Sequence, residues 1–337
     1  MAIRPAQVTD LPRIDQLYQE GLQLSLQGEG ATSPIRLWQI VSRTLSSLLP
    51  MMTPSEMLYV LEEDGRVMGF IQAERVSGRD SRVPSRTPAP GEAIRVLNLS
   101  LALELVGGGG ALIDHLCNEA LQRGVGRVYV RLPEGHPGLE TFRAHDFQVY
   151  ATERVFYRSD LFGLRGDFSA PGLRAARRDD TLGLYTLYLA ATPQQVSQFE
   201  APDLDHWRAL YAERLGHYAR RPARSLVLER GELDGWLGVE PAHPGRPHTL
   251  AMLARPDAGV RGEVQKQLLS EAARQLEGHP GAAWCNVRSY DTATQRVLQD
   301  ALFEVLTGQE LMVREMRVRE KAPARAKKEK AMTPAFG

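Results

Sequence analysis

The 337-residue sequence is short of several things, and each shortage closes off a class of protein. It has two cysteines, Cys117 and Cys285, far apart and outside any CxxC pair. That excludes a disulfide framework and a cysteine zinc site, and no metal is expected. Each cysteine reads as a small buried hydrophobe. There is no excess of charge, since 41 Lys and Arg balance 41 Asp and Glu. No global field therefore draws the chain to nucleic acid or to an anionic membrane. A long apolar run is also missing. The nearest approach, Val96 to Ile113, holds Asn98, Ser100, Glu104 and four glycines, which would break a membrane helix. The opening Met-Ala-Ile-Arg-Pro lacks the apolar core of a secretory leader, so the expected compartment is the reducing cytoplasm. No nucleophile elbow, P-loop, zinc-ligand spacing or dinucleotide fingerprint occurs.

What is there occurs twice. Ile3-Arg4-Pro5-Ala6 with Asp10 returns as Leu173-Arg174-Ala175-Ala176 with Asp180. Each reads as a short strand entering an amphipathic helix, with the Asp as N-cap. Tyr59 to Ile71 returns as Leu226 to Leu237, with Gly231 and Gly235 in step with Gly65 and Gly69. Both have the pattern of a β-hairpin turning at a charged residue and a glycine. A third block repeats at a shift of 156, which pairs Leu112-Ile113 with Leu268-Leu269 and Phe147 with Phe303. In each copy an apolar strand (Ile94 to Leu103; Thr249 to Ala254) precedes a helix (Ala111 to Arg123; Val264 to Gln275). A further strand follows (Arg127 to Leu132; Ala283 to Val287), then a second helix and a final pair of strands. Length alone leads to the same expectation, because domains run to roughly 100–200 residues. The expected division is a domain over 1–160, a linker over 161–171, a second domain over 172–319 and a disordered basic tail over 320–337. The fold class is α/β (α+β).

The ordered set of opening strand, Glu63-Asp64-Gly65-Arg66-Val67-Met68-Gly69 hairpin, Gly107-Gly108-Gly109 turn and closing helix into Phe147 resembles the GNAT superfamily of acyl-CoA-dependent N-acyltransferases. The resemblance covers nearly the whole chain, once per copy. It implies two tandem domains, each a mixed, mostly antiparallel sheet flanked by helices. It further implies acetyl-CoA or another acyl-CoA as substrate, and an amine acceptor on a small molecule or a protein. The residues it assigns to coenzyme A are Leu99, Leu101, Gly107, Gly108, Gly109, Gly110 and Ala111. The physical reason is a helix start whose unpartnered N–H groups and dipole suit a pyrophosphate.

The copies depart from the family pattern in ways that bear on activity. Glu104 stands where the family has Gln or Arg, and the second copy has Val260, Glu263 and Gln265 in place of the turn, with Arg261-Gly262 beside them. Phe142 and Leu298 occupy the position of the family's frequent proton-donating Tyr, and Asp146 and Leu302 that of the Gly before Phe. No catalytic residue is assigned. Asn98 and Ser100 are not bases near neutral pH. Glu134, His136, Tyr290, Asp203, Asp205, His206 and His217 remain candidates for proton transfer or acceptor binding, and His115, His145, Asp146 and Asp291 read as structural. The alternative to an enzyme is a degenerate copy pair used for acyl-CoA sensing or protein interaction.

Overall fold

The computed structural model describes residues 1–27, 56–76, 91–102, 105, 108–161, 163–164, 171–211, 224–242, 247–256 and 262–317. Glu104, Gly107, Val260, Arg261, His217 and the 320–337 tail lie outside them.

The N-terminal half begins with β1 (Ala2–Pro5), a 3₁₀ turn (Val8–Asp10) and α1 (Leu11–Gln27). The hairpin β2 (Glu56–Glu63) and β3 (Arg66–Val76) follows, then β4 (Ala93–Leu101) and α2 (Gly108–Gln122). The half ends with β5 (Arg127–Pro133), α3 (Gly138–Ala144) and β6 (Gln148–Arg158). The C-terminal half repeats this with β7 (Leu173–Ala175), a 3₁₀ turn (Arg178–Asp180), α4 (Thr181–Ala191), α5 (Gln194–Glu200) and α6 (Leu204–Tyr211). It continues through β8 (Arg224–Glu229), β9 (Leu233–Glu240), β10 (His248–Ala254), α7 (Glu263–Gln275), β11 (Ala283–Arg288), α8 (Thr292–Asp300) and β12 (Glu304–Glu315).

Local chemistry explains the hairpins. Asp64 and Gly65 both have positive φ, 51° and 74°, as a tight turn between twisted strands requires. Gly69 and Gly235 have a different job. A methyl on Gly235 would lie 2.8 Å from Val264 and 3.1 Å from Leu268, and one on Gly69 would lie 2.7 Å from Leu101 and 3.5 Å from Leu112. Leu112 and Leu268 are equivalent by the repeat, so each glycine opens the sheet to the same helix leucine.

Two expectations are corrected. Asp10 and Asp180 reach backwards rather than forwards: Asp10 accepts from the Gln7 N–H at 2.7 Å and Asp180 from the Arg177 N–H at 2.6 Å. Neither side chain caps the helix that follows. Both are held by an arginine of the preceding strand, Arg4 at 2.6 Å and Arg174 at 2.7 Å, which also binds Glu62 or Glu229. The second correction concerns the final pair of strands. Each copy ends in one long strand, β6 or β12, and its partners come largely from the other copy.

The strands form one sheet in the order β1-β2-β3-β4-β5-β12-β6-β11-β10-β9-β8-β7. Strand β12 pairs with β5 of the N-terminal half, β6 pairs with β11 of the C-terminal half, and the two pair with each other. The exchange reaches the cores. Met312 of β12 is fully buried in the N-terminal core beside Ile94, Leu112 and Phe142. Phe156 of β6, its equivalent at the shift of 156, is fully buried in the C-terminal core beside Leu250, Leu268 and Leu298. The two core sheets are thus joined edge to edge, with Glu153 opposite Gln309 at the seam.

Candidate functional site

Among the described residues only β4–β5 and β10–β11 are parallel pairs, and both come apart early. Strands β4 and β5 share the register Ile94–Val128 and Arg95–Tyr129, and then diverge. A β-bulge contributes. Asn98 faces Gln72 and Val96 faces Ala73 on β3, so Leu97 is an extra residue that bends β4. In the C-terminal half β10 and β11 pair from His248–Ala283 to Leu250–Cys285. Its β9–β10 register runs unbroken from Glu240 to Gly235, without a bulge. Each half therefore holds a cleft between two splayed central strands, with a helix starting at its mouth.

In the N-terminal half that helix is α2. Leu99, Leu101, Gly108, Gly109 and Gly110 come together here, because a methyl on Gly109 would lie 3.2 Å from Leu101 and 3.8 Å from Leu99. Ala111 is exposed at the next position. Gly108, Gly109 and Gly110 form the first turn of α2, where the backbone N–H groups have no partner within the helix. The first turn carries no acidic residue. Helix-start donors, the positive end of the helix dipole and absence of a first-turn carboxylate fit a pyrophosphate. The glycines themselves are tightly covered: a side chain on Gly108 would run into Leu105, and one on Gly110 into His145.

His145 is placed by Asp114, whose carboxylate lies 3.0 Å from Nδ1. Asp114 also binds Arg314 of the exchanged β12 at 2.9 Å. Burial works against the charge on Asp114, but Arg314 and His145 hold its carboxyl below the usual range. Cys117 nearby is buried and its thiol is pushed up to about 11, so it stays protonated and inert near neutral pH.

The other candidates separate into positions with a visible structural duty and positions near a cleft. Asn98 donates to Gln72 across β3–β4 at 2.7 Å. Burial lowers the pKa of His136 from the ordinary 6.5, and its Nδ1 accepts the Gly138 N–H at 3.0 Å at the start of α3. Glu134 packs over Gly308 of β12. His115 lies edge-on to Tyr59, with ring centroids 4.7 Å apart. Asp203 accepts the N–H groups of Asp205 and His206 at 3.0 and 2.9 Å and the His206 ring at 2.7 Å, so it caps α6. Asp291 caps α8 by accepting the Thr294 N–H at 3.0 Å. Phe142 and Leu298, at the proton-donor position, are core residues with 1% and 0% exposure. His145 and Asp146 close α3, with Asp146 at φ 62°.

The C-terminal half differs at its helix start. The N-cap of α7 is Gly262 at φ 86°, and Glu263 places a carboxylate in the first turn. Its cleft contains a cavity lined by Ala251 and Leu253 of β10, Asn286 and Arg288 of β11, and Tyr188 and Trp207 of the helices. Glu153, on the exchanged strand β6, also lines it and is 3% exposed. Sequence reasoning passed over Glu153. It sits in an inward-facing alternation of Ala151, Glu153 and Val155, and a carboxylate in such a stripe is the signal that was available. Among the described residues no helix is long and apolar enough to cross a membrane, and no group of three or more His, Cys, Asp or Glu is placed to hold a metal.

A cleft between splayed strands beside a helix start thus occurs once in each half. No family model and no curated protein matches the sequence. Solved structures do. A tandem GNAT protein from the clavulanic acid biosynthesis pathway has a TM-score of 0.51 and 15% identity, over 93% of this chain and 98% of that one. A GCN5-related N-acetyltransferase from Sphaerobacter thermophilus has a TM-score of 0.52 and 13% identity, over 94% and 96%. A putative acetyltransferase from Pyrococcus horikoshii has a TM-score of 0.50 and 13% identity, over 95% and 91%. What is shared at these identities is the fold: the chain has the GNAT fold in tandem.

Proposed function

We propose that the protein is an acyl-CoA-dependent N-acyltransferase that transfers an acyl group, in the first instance acetyl, directly to an amine of a small molecule or protein. The N-terminal cleft is the reading's working site. What supports it is the combination there of a bulged, splayed β4 and a glycine-rich α2 start with no first-turn acid. Gly107 to Gly110 and Ala111 would hold the pyrophosphate, and Leu99 and Leu101 the apolar arm of the cofactor. Bound coenzyme A supplies the activated thioester. The chain's contribution is then positioning and backbone hydrogen bonding, which account for much of the rate in transfers of this kind.

A second reading is favoured by specific observations. Phe142 and Leu298 are buried core residues that cannot donate a proton, and Gly108 and Gly110 are covered by Leu105 and His145. These features support a degenerate pair that binds an acyl-CoA without turning it over. Titrating the full-length chain with acetyl-CoA, then following free thiol release over a panel of amines, separates the readings. Binding with amine-dependent thiol release is expected. Binding without release on any amine would favour the sensor, and no binding at millimolar acetyl-CoA would remove both. Gly109→Val, which places a branched side chain against Leu101, is expected to weaken binding by at least tenfold.

A further inference from the structure

We propose that the outward face of α4 is a self-association surface, on which a second copy of this chain packs its own α4 in antiparallel about a two-fold axis. The repeat supplies the comparison that singles this face out. At the shift of 170 that relates Asp10 to Asp180, α1 and α4 bury the same positions: Ile14 and Leu184, Leu17 and Leu187, Tyr18 and Tyr188. Their outer positions differ. In α1 these are Pro12, Asp15, Gln16, Gln19 and Glu20, with Glu20 engaged by Arg13 at 3.3 Å and by Gln16 at 2.7 Å. In α4 they are Leu182, Tyr185, Thr186, Leu189 and Ala190. The fold thus accepts polar side chains at these positions, yet one copy carries apolar ones.

Leu182 is 64% exposed and Leu189 is 43% exposed. The Thr186 hydroxyl donates to the Leu182 carbonyl at 3.0 Å, so its polar group is satisfied within the helix. From Thr181 to Ala191 there is no charged side chain. A helix that is apolar all round is one that is covered all round, and the uncovered side here is an association surface. It is separate from the clefts: Leu184 and Tyr188, which line the cavity of the C-terminal cleft, lie on the buried side of the helix.

Three features favour a second copy as the occupant. Leu182 and Leu189 flank Tyr185 and Thr186, so an antiparallel pair centred there sets Leu182 on the partner's Leu189, and the reverse. The face is uncharged, so two copies meet without like-charge repulsion. The ends are complementary. Asp180 is paired with Arg174, so Arg177 and Arg178 against Asp179 leave positive charge before the N-terminus of α4, where its own dipole disfavours it. The last turn has no basic residue, and the antiparallel pair brings the arginines to the partner's C-terminal carbonyls. A single face of an 11-residue helix offers less than the roughly 800 Å² per partner of a stable complex, so the dimer expected is weak, with Kd about 10–100 μM.

The test is sedimentation equilibrium of the full-length chain from about 5 μM to 0.5 mM, where a monomer–dimer equilibrium is expected. Leu189→Gln with Ala190→Glu gives α4 the residues that α1 has at these positions and leaves the buried side untouched. The dimer should weaken at least tenfold with an unchanged circular dichroism spectrum. Thr186→Cys lies beside the axis and should cross-link to itself under copper–phenanthroline oxidation. Gln16→Cys, its exposed equivalent on α1, should not, and the native Cys117 and Cys285 are buried. A chain that stays monomeric at 0.5 mM would overturn the proposal and leave the face to a different partner. Undiminished dimerisation of the double variant, or equal cross-linking of the two cysteine variants, would overturn it by placing the interface elsewhere.

Discussion

Leu302 is the residue whose conformation its sequence least favours. It has φ 59°, is 74% exposed, and follows α8 where its N–H donates to the Gln299 carbonyl at 2.9 Å and the next N–H, Phe303, to Leu298 at 2.9 Å. That is a helix stop of the kind glycine makes, because a Cβ is crowded in the left-handed region. Leu302→Gly is expected to stabilise the chain by about 1 kcal/mol, read as a higher urea midpoint at unchanged slope. The equivalent Asp146→Gly should gain little. Aspartate tolerates this region better, and Asp146 also lies 3.5 Å from Arg314. At the same scale His248 sets a pH dependence. It is 1% exposed; its Nδ1 accepts the Ala242 N–H at 2.8 Å, which leaves Nε2–H to donate to the His279 carbonyl at 3.0 Å. Burial lowers its pKa from the ordinary 6.5, as it does for His136. The neutral forms therefore stabilise the fold fully above pH 6.5, and that contribution is lost as the pH falls below it, because the unfolded chain takes the protons first. The urea midpoint should drop between pH 7.5 and 5.5, and His248→Gln should flatten the drop. The paired carboxylates Asp10 and Asp180 titrate below this window, since their pKa values are lowered from 3.8.

At the scale of elements the sequence was most legible where a repeat and a periodicity coincided. Strands β4, β5, β10 and β11 and helices α2 and α7 lie within a few residues of the expected spans, because apolar alternation and the 3.6-residue period leave little freedom there. Asp291 was readable as a cap because a helix start needs an acceptor and Asp supplies it locally. Asp10 and Asp180 misled for a related reason. The same carboxylate satisfies a backbone N–H behind it equally well, and the deciding group was an arginine on a neighbouring strand, six residues away in each copy. The residues proposed for coenzyme A were chosen largely on a pattern of glycines. That Gly108 and Gly110 are covered by Leu105 and His145 depends on packing among three elements, which spacing does not encode. The cavity in the C-terminal cleft was missed altogether. Trp207 followed a helical period and read as core. Glu153 belongs to the N-terminal copy and meets Trp207 and Trp236 of the C-terminal half only across the seam.

That seam is the property of the whole molecule, and no pattern within a strand announces it. Strand β6 has the same inward stripe whichever copy's β-strand it joins, so alternation fixes its faces but not its partner. The exchange makes each half depend on the other for a core residue as well as for a sheet edge. Removing Phe156 should therefore weaken the C-terminal core by about 3–5 kcal/mol, and removing Met312 the N-terminal core by about 2–5 kcal/mol, although each lies in the opposite copy's sequence. Because β6 and β12 also pair with each other, loss in either core should appear in one cooperative transition rather than two. Urea unfolding followed both by tryptophan fluorescence, to which Trp207, Trp236 and Trp284 of the C-terminal half contribute, and by far-ultraviolet circular dichroism tests this directly. Coincident curves are expected for the parent chain and for Phe156→Ala and Met312→Ala alike. Separate transitions, with Met312→Ala leaving the tryptophan curve unmoved, would mean that the halves are stable on their own and that the exchange joins them without coupling them.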